Sequence, residues 1–333
     1  MDEKTKAYVA PEAAIITPLV TPLKNGAIDE SSLVNAFTHA VNMGKGANAI
    51  FGYSTTSEGW SMPLKHRHEL RNLYMEAKDS YFLSSGHDTP LWLNSTSANP
   101  DDDNIVPEIA IDYEIFSGAD AVVVTPLRHH TEEEITEASQ DAGLYRSLFG
   151  DFERSPIPII LYFNPRIHRS GTADSSATLA TMLEQDKSGK IIAAKVSDTP
   201  DNIANYVNAA NGRIKIYSGN ETSIYSSFNN KQGISGGVFG TSGAFPSIFY
   251  RIMQAKKESD LSLASADIDM LRRIRKIYGP DGSKNIAAIK HLLMLQEVIE
   301  TDEVYPGTPK LDADDKEHLE RLLLSIQQYE KVQ

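Results

Sequence analysis

Lys190-Ile-Ile-Ala-Ala-Lys195-Val-Ser-Asp198 is a short, nearly unbroken apolar run, interrupted close to its C-terminal end by one lysine. A run of this length without polar alternation is how a strand buried on both faces of a parallel sheet reads. The same signature recurs at Ala14–Val20, Ala47–Tyr53, Pro90–Asn94, Ala119–Thr125, Ile157–Tyr162, Arg213–Tyr217 and Gly233–Phe239. The longer stretches between these runs predict helices over Ser31–Met43, Pro63–Lys78, Asn104–Ser117, Glu132–Leu148, Ser175–Gln185 and Pro200–Ala210. Eight such strands in regular alternation with helices predict an α/β fold closed as a (β/α)8 TIM barrel rather than an open sheet. After Gly243 the strands stop. Helices are expected over Ile248–Lys257, Ser262–Tyr278, Lys284–Ile299 and Asp314–Tyr329, with Pro280-Asp-Gly282 and Pro306-Gly-Thr-Pro309 as turns. The expected organisation is a barrel over residues 1–245, carrying the active site, and a C-terminal helical region over 246–333.

Composition narrows the function. A formal charge of −13 over 333 residues disfavours a nucleic acid or an anionic membrane as partner. The absence of cysteine removes disulfides, thiolate metal sites and cysteine nucleophiles from consideration. The opening Met-Asp-Glu-Lys-Thr-Lys has no apolar signal-peptide core, and no apolar run approaches the ~20 residues of a membrane span. A cytoplasmic protein acting on small molecules is expected.

Lys195 is the chemical centre of this reading. A solvated lysine has a pKa of about 10.4, and a nucleophilic amine needs something nearer 7, a difference of roughly 4 kcal/mol. Burial in an apolar strand can supply it, and a neutral amine can attack a carbonyl to give a Schiff base. The plainer alternative is an ion pair of Lys195 with Asp198 or Glu221. Barrel chemistry gathers at the C-terminal ends of the strands. The other runs end in Gly52-Tyr-Ser-Thr55-Thr56-Ser-Glu58-Gly59, Tyr162-Phe-Asn164-Pro165 with Arg169-Ser-Gly171 behind it, Tyr217-Ser218-Gly219-Asn220-Glu221, and Gly233-Ile-Ser235-Gly236-Gly237. Hydroxyls, a phenol, an amine and a guanidinium would thus converge on one rim. The glycines at 233–243 do not make a nucleotide loop, because no Gly-Lys-Ser/Thr follows them.

These strand ends, in this order, resemble the dihydrodipicolinate synthase / N-acetylneuraminate lyase family of class I pyruvate-dependent aldolases. The resemblance covers most of the chain, from Ile15-Ile-Thr-Pro-Leu-Val-Thr21-Pro22 to the Lys284–Pro309 region. Ser54-Thr55-Thr56-Ser57-Glu58 echoes the family's Gly-x-Thr-Thr-Gly-Glu, Tyr162-Phe-Asn164-Pro165 its Tyr-Asn-x-Pro, and Lys195 its strand lysine. The resemblance implies that Lys195 forms an imine with pyruvate and that Tyr162 moves protons with Thr55 as its hydroxyl relay. It further implies that Thr56 holds the ketoacid carboxylate, while Gly219, Ser235 and Gly236 let backbone approach the ligand. Arg169, preferred to Arg166, would clamp a carboxylate on the second substrate. Glu58 reads equally as a structural helix-entry residue or a site residue, and is left out of catalysis. No cofactor or metal is implied, and a homo-oligomer, a dimer or a homotetramer built as a dimer of tight dimers, is.

The largest departure lies after the fourth strand. The family's synthases carry Thr-Pro-Tyr-Tyr there, whereas this chain has Thr125-Pro126-Leu127-Arg128-His129-His130. The relay tyrosine is missing at Arg128: either Arg128 or a neighbouring histidine substitutes, supplying a cation suited to a different acidic or polyhydroxy substrate, or these are solvated loop residues ahead of the acidic Glu132–Glu134. The lysine-feedback residues of some synthases have no evident counterpart around Trp60–Arg67. The leading expectation is a synthase-like condensation of pyruvate with an aldehyde. The alternatives are a sugar-acid aldolase or dehydratase (N-acetylneuraminate lyase or 2-keto-3-deoxygluconate aldolase type) and a non-catalytic ketoacid-binding barrel. A metal-dependent aldolase is disfavoured, because His66 and His68 point apart on a helix and His129-His130 are adjacent in a loop.

Overall fold

The computed structural model describes residues 8–59, 62, 64–94, 118–126, 131–140, 155–168, 174–221, 224, 228, 233–279 and 282–331. Its barrel strands are β1 (Ala14–Pro18), β2 (Ala49–Gly52), β3 (Leu91–Asn94), β4 (Ala121–Val124), β5 (Ile159–Phe163), β6 (Ile191–Val196), β7 (Lys215–Ser218) and β8 (Gly236–Val238). They follow one another in the order β1-β8-β7-β6-β5-β4-β3-β2, which closes on itself. The fold is a (β/α)8 barrel. Nearly every strand residue is buried, as the continuous apolar runs require of strands covered on both faces.

By contacts the chain divides into two compact units, Met1–Ala14 with Pro90–Val238 and Ile15–Thr89 with Phe239–Gln333. The first carries β3 to β8 with helices α3 (Glu132–Gln140), α4 (Ser176–Gln185) and α5 (Pro200–Ala210). Its parallel register aligns one row across four strands: Tyr162 pairs with Lys195, Lys195 with Tyr217, and Tyr217 with Gly236. Helix α5 starts where Thr199 caps Asn202 and Pro200 presets the first turn, and it stops at the left-handed Asn211. The Asn104–Ser117 helix, and the end of the Glu132–Leu148 one, fall outside the described residues.

The second unit pairs β1 with β2, Ile16 opposite Ala49, and adds helices α1 (Glu30–Val41) and α2 (Leu64–Ser85). It ends in α6 (Pro246–Lys257), α7 (Ser265–Ile277), α8 (Asn285–Leu295) and α9 (Ala313–Glu330). Helix α2 outruns the expected Lys78 end because the chain meets no breaker before Gly86, whose φ of 72° stops it. The expected Ser262–Tyr278 helix opens instead as a 3-10 turn, Leu261–Ala264, held by Asp260. Helix α8 ends before Ile299, where Glu297 turns left-handed and Val298 donates back to the Leu293 carbonyl at 2.9 Å. Helix α9 begins in a capping box between Asp312 and Asp315. Among the described residues, no helix is long and apolar enough to cross a membrane.

Candidate active site

Lys195 is the fifth residue of β6, and its side chain is carried inside an otherwise apolar strand with only 5% of the residue exposed. Its register partner on β5 is Tyr162, 3% exposed, and the lysine Nζ lies 4.1 Å from the centre of the tyrosine ring. The pairing follows from pleat geometry, since partnered residues on parallel strands project from the same face. The phenol oxygen receives two donors, Asn164 Nδ2 at 3.0 Å and Ser197 Oγ at 3.5 Å. Donors aimed at a phenol oxygen stabilise it while its proton is away.

Each donor is itself held. Asn164 caps the short turn Pro165–Ile167 by accepting from Arg166 N, which leaves its amide nitrogen for Tyr162. The Asn164 backbone N–H donates to Nε2 of the buried His168 at 2.9 Å, so this ring nitrogen is unprotonated. Ser197 stands two residues beyond Lys195, hence on the same face of the chain, and faces Gly219 just after β7. A Cβ on Gly219 would lie 2.0 Å from Ser197 Oγ and 3.1 Å from Lys195 Cε, so a side chain there would displace both.

Asp198 marks the edge of this group. Its Oδ1 accepts from Thr199 N at 2.7 Å and Asn202 Nδ2 at 3.0 Å, while its buried Oδ2 has no hydrogen-bond partner among the described residues. Burial pushes this carboxyl above the usual aspartate range, against the pull of those two donors. Burial likewise raises the pKa of Tyr217 and Tyr206 above the ordinary phenol value, so both stay protonated; Tyr217 donates to the Pro11 carbonyl, and the Tyr206 oxygen accepts from Ser175 N at 3.0 Å. Ser235 and Gly236 have backbone duties at the start of β8. The Ser235 carbonyl accepts from Ala14 N at 3.1 Å and its N–H donates to Ile216 O at 2.8 Å. A Cβ on Gly236 would fall 2.1 Å from the Ala14 carbonyl oxygen.

Thr55 and Thr56 belong to the second unit, on the tight turn after β2. The turn bends through left-handed Tyr53 and Glu58, and Ser57 closes it, its Oγ donating to Leu19 O at 2.7 Å. Thr56 packs near Gly240, where a Cβ would approach its side chain to 3.3 Å. Glu58 is buried and bonded to Lys290, Tyr305 and Thr308.

The structure thus joins Lys195 to Tyr162 and Gly219 and places Thr55 beside Thr56. Arg128, His129, His130, Arg169, Ser170, Gly171 and Trp60 lie outside the described residues. Two polar residues beside Tyr162 escaped sequence reasoning. Ser197 was readable from its two-residue offset from Lys195, and Asn164 from its place before Pro165. In the second unit, Lys290, the partner of Glu58, was marked only by being a single cation in the apolar stretch Ile286–Leu295.

The molecule is, by its fold, a (β/α)8 barrel with a lysine and a tyrosine paired on adjacent strands. No family model matches the chain, and no curated protein matches its sequence. Solved structures do share its fold. Dihydrodipicolinate synthase from the commensal bacterium Bacteroides thetaiotaomicron superposes with a TM-score of 0.77 at 23% identity, over 96% of this chain and 99% of that one. YagE, a prophage protein of the dihydrodipicolinic acid synthase family from E. coli K12 in complex with pyruvate, gives 0.74 at 16% identity, over 94% and 98%. KD(P)GA from T. tenax gives 0.71 at 21% identity, over 95% and 99%. The fold is therefore the one that dihydrodipicolinate synthase structures adopt.

Proposed function

We propose that the chain is a Schiff-base-forming lyase of the dihydrodipicolinate synthase / N-acetylneuraminate lyase type, acting on pyruvate or another 2-keto acid. The observation that carries this reading is the buried Lys195 amine in register with, and 4.1 Å from the ring of, Tyr162, whose oxygen is braced by Asn164 and Ser197. A buried cation needing only a counter-charge has no use for a braced phenol.

In this reading the Lys195 nitrogen attacks C2 of the ketoacid. A C–N bond forms, the carbonyl oxygen gains two protons, and it leaves as water. Tyr162 shuttles those protons, with Thr55 as its relay. The iminium then draws electrons from C3, which loses a proton to give an enamine. The enamine carbon adds to an aldehyde, and water releases the product and regenerates the amine. Thr56, with its backbone N–H, holds the ketoacid carboxylate, and Gly219, Ser235 and Gly236 leave room for the ligand. Arg169 meets a carboxylate of the second substrate. No cofactor enters the cycle.

A synthase-like condensation with an aldehyde is the first choice, from the Thr55-Thr56 and Arg169-Ser-Gly motifs. A sugar-acid aldolase is the second, favoured by Arg128 in place of the relay tyrosine and by the likeness to KD(P)GA and YagE. A homo-oligomer belongs to both.

Borohydride reduction in the presence of pyruvate tests the common step. The expected result is one reduced pyruvate unit on the Lys195 peptide of the wild type and none on Lys195→Met. A protein that gains no mass, or a Lys195→Met variant labelled equally, refutes the lyase and leaves a ketoacid-binding barrel.

A further inference from the structure

Outside the lysine–tyrosine pair, the best-built polar cluster is the one around Glu58. Its side chain is 1% exposed, and that of Lys290 is fully buried. Lys290 Nζ donates to Glu58 Oε2 at 2.5 Å and to the Glu303 carbonyl at 2.8 Å. Glu58 Oε1 accepts from Tyr305 N and from Thr308 Oγ1, both at 2.7 Å. Four acceptor contacts or donors around two opposite charges satisfy what burial removes from water.

This cluster ends at the Thr55-Thr56 turn. Glu58 closes it by donating its N–H to Thr55 O at 3.1 Å, and does so in a left-handed conformation with φ of 57°. A left-handed conformation costs a non-glycine residue free energy, so the turn is held by its surroundings and not by its own preference. Helix α8 supplies those surroundings twice. Lys290 grips the carboxylate, and its neighbour Ile289 packs 3.1 Å from where a Cβ on Gly240 would be, the same point that lies 3.3 Å from Thr56 Cγ2.

We infer that Glu58 and Lys290, with Thr308, are positioning residues that hold the Thr55-Thr56 turn in the shape that binds a 2-keto acid's carboxylate. They touch no substrate themselves. The C-terminal helical segment thereby sets ketoacid affinity through one buried ion pair. The inference rests on the proposed carboxylate role of Thr56, and goes beyond it by assigning what holds that residue in place.

Removing either charge costs so much stability that a loss of binding would not separate positioning from folding, so the binding test loosens the pair by one bond. Thr308→Val is nearly isosteric and deletes one donor to Glu58, and Thr308→Ser restores it. Pyruvate affinity is measured by calorimetry in a Lys195→Met background, where no imine can form, so the outcome is independent of the lyase chemistry. The expected result is about 3- to 10-fold weaker pyruvate binding for Thr308→Val, recovery for Thr308→Ser, and a borohydride labelling rate at saturating pyruvate within about twofold of wild type when Lys195 is present. Unchanged affinity in Thr308→Val, even with a lowered melting temperature, overturns the inference and leaves the pair purely structural. Absence of pyruvate binding in the Lys195→Met background overturns it as well. Failure of wild-type labelling alone strikes the lyase reading and not this one.

Discussion

Gly219→Ala isolates the space that the site reserves beside the lysine. The new Cβ would sit 2.0 Å from Ser197 Oγ and 3.1 Å from both Ser197 Cβ and Lys195 Cε. The hydroxyl can rotate out of the way about χ1, but only by leaving Tyr162, to which it donates at 3.5 Å. The two 3.1 Å contacts remain and must be relieved by shifts of a few tenths of an ångström in β6 or the lysine chain. Overpacking of this kind costs about 1–3 kcal/mol. Ser197→Ala alone gives up one long hydrogen bond, worth about 1 kcal/mol or less. In the double variant the worst contact is already gone, so its loss should fall short of the sum by about 0.5–2 kcal/mol. Guanidinium unfolding midpoints of the wild type, both singles and the double close the cycle. Additive losses, or a Gly219→Ala protein as stable as wild type, would refute the claim that this glycine exists to clear Ser197 and Lys195.

Two further outcomes are expected. Lys290→Met leaves Glu58 charged and buried without its partner and should cost about 3–5 kcal/mol, whereas Glu58→Gln combined with Lys290→Met should recover more than half of that loss; unfolding midpoints that add instead would remove the ion pair from the account. Asp198 is raised by burial above its ordinary 3.8, so the folded chain holds that proton to higher pH than the unfolded one does, and ionisation costs stability as pH climbs through the folded value. Asp198→Asn keeps an acceptor for Thr199 N and Asn202 Nδ2, and its melting temperature relative to wild type should therefore be more favourable at pH 7 than at pH 4. A pH-independent difference would show that the carboxylate is not strained by burial.

Much of this was legible in the chain before any coordinates. Ile191–Val196, Ala121–Val124 and Ile159–Phe163 announce themselves because strands covered on both faces leave no polar alternation, and Lys195 is conspicuous against that background. The turn at Pro306-Gly-Thr-Pro309 was equally local. The helix ends at Ser85 and Leu295 were less so, because propensity changes little there and the stop comes from one left-handed residue beyond.

What the sequence determined by itself was periodicity: which segments are strands, which are helices, and that one lysine is embedded among apolar neighbours. Register lay beyond it, because pairing Tyr162 with Lys195 and Tyr217 with Gly236 depends on how separate strands slide past one another. The meeting of Glu58 with Lys290, 232 residues apart, depends on where helix α8 is delivered, and no local pattern encodes that. Short-range preferences write the elements into the chain, whereas the partners of a buried charge or phenol are chosen only when distant segments close around it.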